Sequence, residues 1–542
     1  MNIRSFTSIG AVYGGGFRAL MVADPTVNIN IVKGSHYNDN DLIAGSFNGI
    51  KIHKKNTNGT IVEDGTVNLD YPAHAKGAIG TIGNVFGGGN EAKLVGSATV
   101  NIGTESSIGL IKEPTHLIPS GSTSYPKNAD TGKYDVAVEG ANITGNVYGG
   151  GNLADVTGSK EVNICAKEVI SGTTTSWQSV SPGTAGVTIA GNVYGGGKGV
   201  ARESGDRAFF CEEAMVGIDG TNSATNNNSS TYANYGTHVR IGNGTIGNGT
   251  TGGNVYGGGE IGRVEFHTEV VIGLGEGTGA ATKSPVINGS VFGAGKGTNT
   301  HGYSGLVRGD SRVTIQGDAK VGHSVYGGGE MASVGNYGVV NGLPKTPLFG
   351  GKCTVTIGGY AEIGPDGMLM TQTGGPDDTG HVFGAGKGTL PYENVTGTPW
   401  SMQPQPTGQV KYDNNYTPGT DGLGYEAAYY KFIQSLGLAS NTDVTIGGHA
   451  FVKGSVYGGS ENGYVQTDTH VTIAGGQIGE GQNQTTPYAD ADFIDPSTTT
   501  VTTSNALATC ATWTYDKETT GVPYDKYADE TGYDSKGGAV IA

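Results

Sequence analysis

A valine and an aromatic residue, followed at once by two or three small residues that are nearly all glycine, return together nine times in this chain. The copies are Val12-Tyr13, Val85-Phe86, Val147-Tyr148, Val193-Tyr194, Val255-Tyr256, Val291-Phe292, Val325-Tyr326, Val382-Phe383 and Val456-Tyr457. Such recurrence constrains the fold more than any other feature. One unit cannot bury its apolar face alone, so stability has to come from stacking neighbours. The shortest interval between anchors is 34 residues, from Val291 to Val325, and longer intervals are the same unit carrying an insertion.

A second element alternates apolar and polar residues, at Val27-Asn28-Ile29, Val67-Asn68-Leu69, Val100-Asn101-Ile102, Val162-Asn163-Ile164, Val187-Thr188-Ile189, Val239-Arg240-Ile241, Val313-Thr314-Ile315, Val355-Thr356-Ile357, Val444-Thr445-Ile446 and Val471-Thr472-Ile473. Period two with β-branched residues predicts half-buried strands, apolar side inward. Each unit then holds three or four short strands, one coil of a β-solenoid. With strands about 4.8 Å apart, nine coils make a rod of roughly 40 Å.

Neighbouring residues of a strand face opposite sides. The position before each anchor valine is Ala, Asn, Ser or His, a polar and size-tolerant set. This places Val inward and the aromatic outward; the alternative is an inward ring lying over a neighbouring glycine, and exchange of Tyr with Phe fits either. The glycine run is expected to supply positive φ and a tight corner against the coil beneath.

Composition narrows the class. Of 542 residues 99 are Gly and 15% are charged, which excludes a disordered polyelectrolyte; Gly has no period of three, which excludes collagen. A formal charge of −16 without any basic run argues against nucleic acid as a partner. No run of 18 apolar residues suggests membrane insertion, and the amino terminus lacks a signal-peptide pattern. Cys165, Cys211, Cys353 and Cys510 have neither zinc spacing nor a disulfide framework, and free thiols are expected.

The fold class expected is therefore all-β, a right-handed parallel β-helix of about nine coils over residues 1–480, with residues 481–542 as a carboxyl-terminal cap, docking segment or extension. The largest insertions span about 103–140, 203–236 and 390–441. Within the last, Tyr425 to Leu436 has helix formers and apolar residues at 3.6 spacing, ended by Gly437, and predicts one short helix.

Candidate chemistry is sparse. Gly293-Ala294-Gly295-Lys296-Gly297-Thr298, Gly384-Ala385-Gly386-Lys387-Gly388-Thr389 and Gly195-Gly196-Gly197-Lys198-Gly199 resemble phosphate loops, but Lys is not followed directly by Ser or Thr and no helix opens there. They read as solenoid corners. Asp377-Asp378, Glu212-Glu213 and Asp206-Arg207 are the close acidic groupings, and all lie in insertions. The residue after the glycine run is Phe17, Asn90, Asn152, Lys198, Glu260 or Glu330, so no periodic metal ligand emerges. His323, His381 and His449 are expected at the surface. No cofactor or metal site is expected. The remaining candidates are aromatic: Tyr148, Tyr194, Tyr256, Phe292, Tyr326 and Phe383 would align along the rod as a stripe that stacks on sugar rings or on another rod, joined by Trp400, Tyr429 and Tyr430 of the longest insertion.

The Gly145 to Asn152 copy, the related Gly83 to Asn90 and the flanking Val-Asn-Ile and Val-Thr-Ile strands resemble the Gly-rich repeats of large adhesin-like surface proteins of gut Bacteroidetes. The resemblance covers about residues 9 to 480 and implies an exported, fibrous, cell-surface protein. It carries no catalytic residues.

The function expected is a non-enzymatic extracellular stalk, filament or adhesin. Its partners would be a host or microbial glycan or protein and other copies of itself, the tail of one chain covering the first coil of the next. The competing reading is a carbohydrate-active β-helix enzyme, a lyase or glycosidase with its site in the insertions. An inward anchor valine makes one sharp prediction: Val325→Asp buries an unpaired charge at several kcal/mol, comparable with a whole domain's stability. Circular dichroism on heating should show the central coils unfolded; unchanged melting would place Val325 in solvent.

Overall fold

In the computed structural model, residues 1–6, 8–33, 45–58, 60–71, 79–110, 134–201, 214–217, 236–248, 253–299, 304–340, 343–365, 379–389, 436–479 and 540–541 are described. They are all-β, and 28 strands belong to one large, mostly parallel sheet of the β-solenoid kind. The predicted helix at Tyr425 to Leu436 lies almost wholly outside the described residues, as do Cys211, Cys510 and the acidic pairs of the insertions.

The sheet is organised as columns in which equivalent residues of successive repeats pair in constant register. In the first column the strands Ala98–Ile102, Lys160–Ile164, Thr237–Ile241, Thr268–Ile272, Ser311–Ile315, Lys352–Ile357, Asn441–Ile446 and Thr469–Ile473 follow one another, Val on Val and Ile on Ile. A second column stacks Ile143, Ile189, Ile246, Ile287, Val321, Ile363, Val452 and Ile478. The third holds all nine anchors, and the strand Val540–Ile541 pairs onto its last member, Val456-Tyr457. A fourth column consists of single bridges, Leu94 to Val156, Val216, Val264, Val307 and Val334 in turn. The inward Val and Ile of the first three columns form one continuous core, and Val325 is completely buried in it.

Several sequence expectations change. Val67-Asn68-Leu69 belongs to Ile61–Tyr71, which pairs antiparallel with Gly45–Lys55 in a separate hairpin. Val187-Thr188-Ile189 sits in the second column rather than the first, and the first-column strand Thr268–Ile272 escaped notice because Val271 replaces the usual polar middle residue. The region 203–236 is not all insertion, since Ala214 and Val216 are fully buried and Val216 occupies a place in the fourth column. Likewise Leu436, Leu438 and Ala439, at the end of the region 390–441, are core residues.

The glycine runs serve close approach, not the left-handed backbone expected of them. A Cβ at Gly327 would stand 2.1 Å from the carbonyl oxygen of Gly384, and φ there is not positive. The amides of Gly87, Gly88, Gly149 and Gly150 donate to carbonyls of the next repeat, so the glycine strip is itself a hydrogen-bonded ladder. Positive φ appears two residues later, at Gly199, Gly297 and Gly388, with values of 69°, 69° and 68°. The phosphate-like loops are thus corners whose amides already have partners: Ala294 donates to Gly328 and Lys296 to Gly259.

At one register position near the start of the first-column strands, four hydroxyls tie the core to this strip. Thr237, Thr268, Ser311 and Thr442 donate through their hydroxyls to the carbonyls of Gly257, Gly293, Gly327 and Gly458, at 2.5–2.6 Å. Lys160 fills the same position, between Ala98 and Thr237. It is completely buried, its Nζ has no hydrogen-bond partner, and burial holds its amine well below the usual lysine range. In the unfolded chain that amine binds its proton up to about pH 10.4, so folding is penalised below that pH and stability rises as pH approaches it. Lys160→Thr should stabilise the chain by about 1–3 kcal/mol at neutral pH and flatten the rise. Urea unfolding at several pH values would check both; a loss of stability would mean that the amine has a partner.

Candidate functional site

The nine anchor rings do form a continuous column. Tyr13, Phe86, Tyr148, Tyr194, Tyr256, Phe292, Tyr326, Phe383 and Tyr457 stack with centroids 4.7–5.0 Å apart and planes within 8°. They lie across the strand from the valines, but the expected exposure is corrected: Tyr148, Tyr194, Tyr256, Phe292, Tyr326 and Phe383 are each at most 5% exposed. Each inner ring has a neighbouring ring on both faces, which leaves no face for a sugar. Trp400, Tyr429 and Tyr430 lie outside the described residues.

Three of the hydroxyls find acceptors at the corners. Tyr148 donates to Glu260 and Tyr256 to Glu330, both at 2.6 Å, and Tyr326 donates to Glu461. In each case the glutamate belongs to the corner two repeats further along. Corner residues from the fourth copy onward run Lys198, Glu260, Lys296, Glu330, Lys387 and Glu461, alternating in sign. Unlike charges attract across neighbouring strands and like charges repel, and Lys296 sits 3.3 Å from Glu260. Phe86 and Phe292, which have no hydroxyl, stand two repeats before Lys198 and Lys387. Tyr194 stands two repeats before Lys296, and its oxygen accepts from Asn192, as those of Tyr148 and Tyr256 accept from Asn146 and Asn254.

The polar position before the anchor valine has an equally internal role. Asn84, Asn146, Asn192 and Asn254 accept, through Oδ1, the backbone amide of the equivalent residue in the next repeat, at 2.8–2.9 Å. His381 is in this column, is 1% exposed rather than at the surface, and accepts from the Ser455 amide through Nδ1. His323 is exposed, while His449 is half-buried and stacks on Tyr360. Cys165 and Cys353 are free, and burial pushes both thiols up to about 12. Among the described residues no three His, Cys, Asp or Glu side chains gather as metal ligands.

Polar groups that remain open to a ligand lie on the outer face of the first column. Asn28 Nδ2 donates to Asn2 Oδ1, Asn101 to Asn28 and Asn163 to Asn101, at 2.8–3.0 Å, a side-chain ladder along the rod. It runs into Arg240, whose guanidinium bonds Glu161 and lies 4.2 Å under the Trp177 ring. At the ladder's amino-terminal end a cleft of about 360 Å³ opens, lined by Asn2, Arg4, Asn28, Asn30, Asn101 and Glu105 among others. Asn30 on its wall is 8% exposed and its Oδ1 lacks a partner. Sequence reasoning passed over this surface because its residues come from three separated stretches. The recurring Asn of the Val-Asn-Ile strands was the signal available.

No protein-family model matches the chain, and neither a similar curated protein nor a similar solved structure was found.

The buried hydroxyls make alkaline pH the test of the aromatic column. Burial, then the nearby glutamates, hold the phenols of Tyr148 and Tyr256 well above the usual tyrosine range. The unfolded chain releases these protons near pH 10, so folding is favoured below that pH and stability falls above it. Tyrosinate absorbance of the column should appear together with loss of β-structure in a pH titration. Early titration at about pH 10 in a folded chain would show that the hydroxyls reach water.

Proposed function

We propose that this chain is a structural and adhesive fibre segment of a bacterial cell surface, extracellular and non-enzymatic, built as a right-handed parallel β-helix of about nine coils with long corner insertions. Right-handed crossover is the near-universal hand of parallel connections. The observation carrying the reading is that the recurring polar and aromatic groups are engaged with one another along the rod axis, in hydroxyl, amide and charge columns that hold register. The resemblance of the Val-Tyr-Gly-Gly-Gly copies to adhesin-like repeats supports the surface placement.

Self-association end to end is part of the proposal. Phe17, Leu20 and Val22, around the first glycine corner, are 61%, 64% and 73% exposed, and Tyr464 and Ile473 on the last repeats are 50% and 43% exposed. Patches of this kind mark interaction surfaces, and a contact between two different ends of the same molecule makes filaments rather than closed dimers. Negative-stain imaging of the purified chain should show rods longer than one protomer that shorten to single units in Leu20→Asp/Val22→Asp. Uniformly short rods at all concentrations would overturn self-association.

A further inference from the structure

We propose that the cleft at the amino-terminal end of the asparagine ladder binds a saccharide bearing a carboxylate, which gives the adhesive half of the preceding reading a ligand class. A primary amide carries two N–H donors and two acceptor lone pairs. In Asn28 the ladder engages one N–H, toward Asn2, and one acceptor site, toward Asn101. Asn101 is engaged in the same way, by Asn28 and Asn163. One donor and one acceptor per amide therefore remain, repeated at the strand spacing of about 4.8 Å. A ligand that satisfies such a row has to donate and accept at each point, and the group that does both is a hydroxyl. The buried Asn30, with its unpartnered oxygen, adds an acceptor on the wall of the same cleft, where an unmet polar group gains from a ligand donor.

Charge selects the acid. Glu105 is already paired with Lys167 at 2.5 Å, whereas the exposed Arg4 forms no ion pair among the described residues. A guanidinium fork matches a carboxylate in a bidentate way. A phosphate-bearing ligand fits less well, since the lining offers one arginine and no run of backbone amides. A divalent cation would meet a single carboxylate. The volume, about 360 Å³, lies at the lower end of small-molecule sites. Because the chain's formal charge is −16, its overall field repels anions, and retention of an acidic sugar reports on local contacts.

The test uses the full chain, immobilised, against short uronate-bearing oligosaccharides and the same oligosaccharides with the carboxyl reduced to an alcohol. Retention of the acidic form is expected, weakened tenfold or more in Arg4→Gln and in Asn101→Leu at unchanged melting temperature, and several-fold weaker for the reduced sugars. Arg4 is exposed and its substitution does not threaten folding; Asn30→Asp, placing an anion on the wall, should also abolish retention. Absence of any retention, equal binding of the reduced sugars, or binding that survives Arg4→Gln would each overturn the assignment. Filament length by imaging is a separate readout, so failure of sugar binding and failure of the fibre reading are distinguishable.

Discussion

Everything in this molecule depends on how closely one repeat's glycine strip lies against the next. With a Cβ at Gly257 or Gly293 only 2.1 Å from the following carbonyl oxygen, any side chain there would force neighbouring repeats apart. That spacing is also the one at which the backbone amides of the strip reach the next carbonyls. It equally sets the distance at which stacked rings touch, 4.7–5.0 Å here, and at which asparagine side chains reach along the axis. Glycine is thus the condition under which valine, aromatic and asparagine columns can all be in contact at once.

Given that spacing, side chains on one strand face meet their own kind above and below. For valine and isoleucine self-contact is simple burial, and the first three columns merge into a single core. Asparagine tolerates itself because its amide both donates and accepts. Charged residues do not, and the corner column resolves this by alternating lysine with glutamate. Three of the tyrosine hydroxyls, those of Tyr148, Tyr256 and Tyr326, buried by the same stacking, find their acceptors in those glutamates. Lys160 shows what happens when the rule is broken: placed in a column of small residues, between Ala98 and Thr237, its amine is buried without a partner.

The valine anchors and the Val-x-Ile strands were legible because period two states which side of a strand faces the core. Periodicity says nothing about what lies beyond the other side, so Tyr148 and its equivalents were assigned to solvent although neighbouring rings and the corner glutamates enclose them. Val156, Val216 and Val264 make one-residue bridges, too short for any period to register. The alternation from Lys198 to Glu461 is present in the sequence, yet it reads as an absence of pattern until the repeats are laid on one another. The cleft draws on residues 2–4, 28–30 and 101–108, and the stacking of those stretches is a tertiary fact.

The alternating corner column also bears on how such a chain can change length in evolution. Duplicating one repeat inside the stretch from Lys198 to Glu461 would set lysine on lysine or glutamate on glutamate, and would give the two rings whose reach spans the insertion a partner of the wrong kind, because hydroxyl and glutamate are two repeats apart. Duplicating a pair restores both relations at once. The unit of duplication in this part of the rod is accordingly a doublet, and versions of this chain differing by an even number of repeats should keep the Tyr–Glu pairs intact while odd differences leave a mismatched junction.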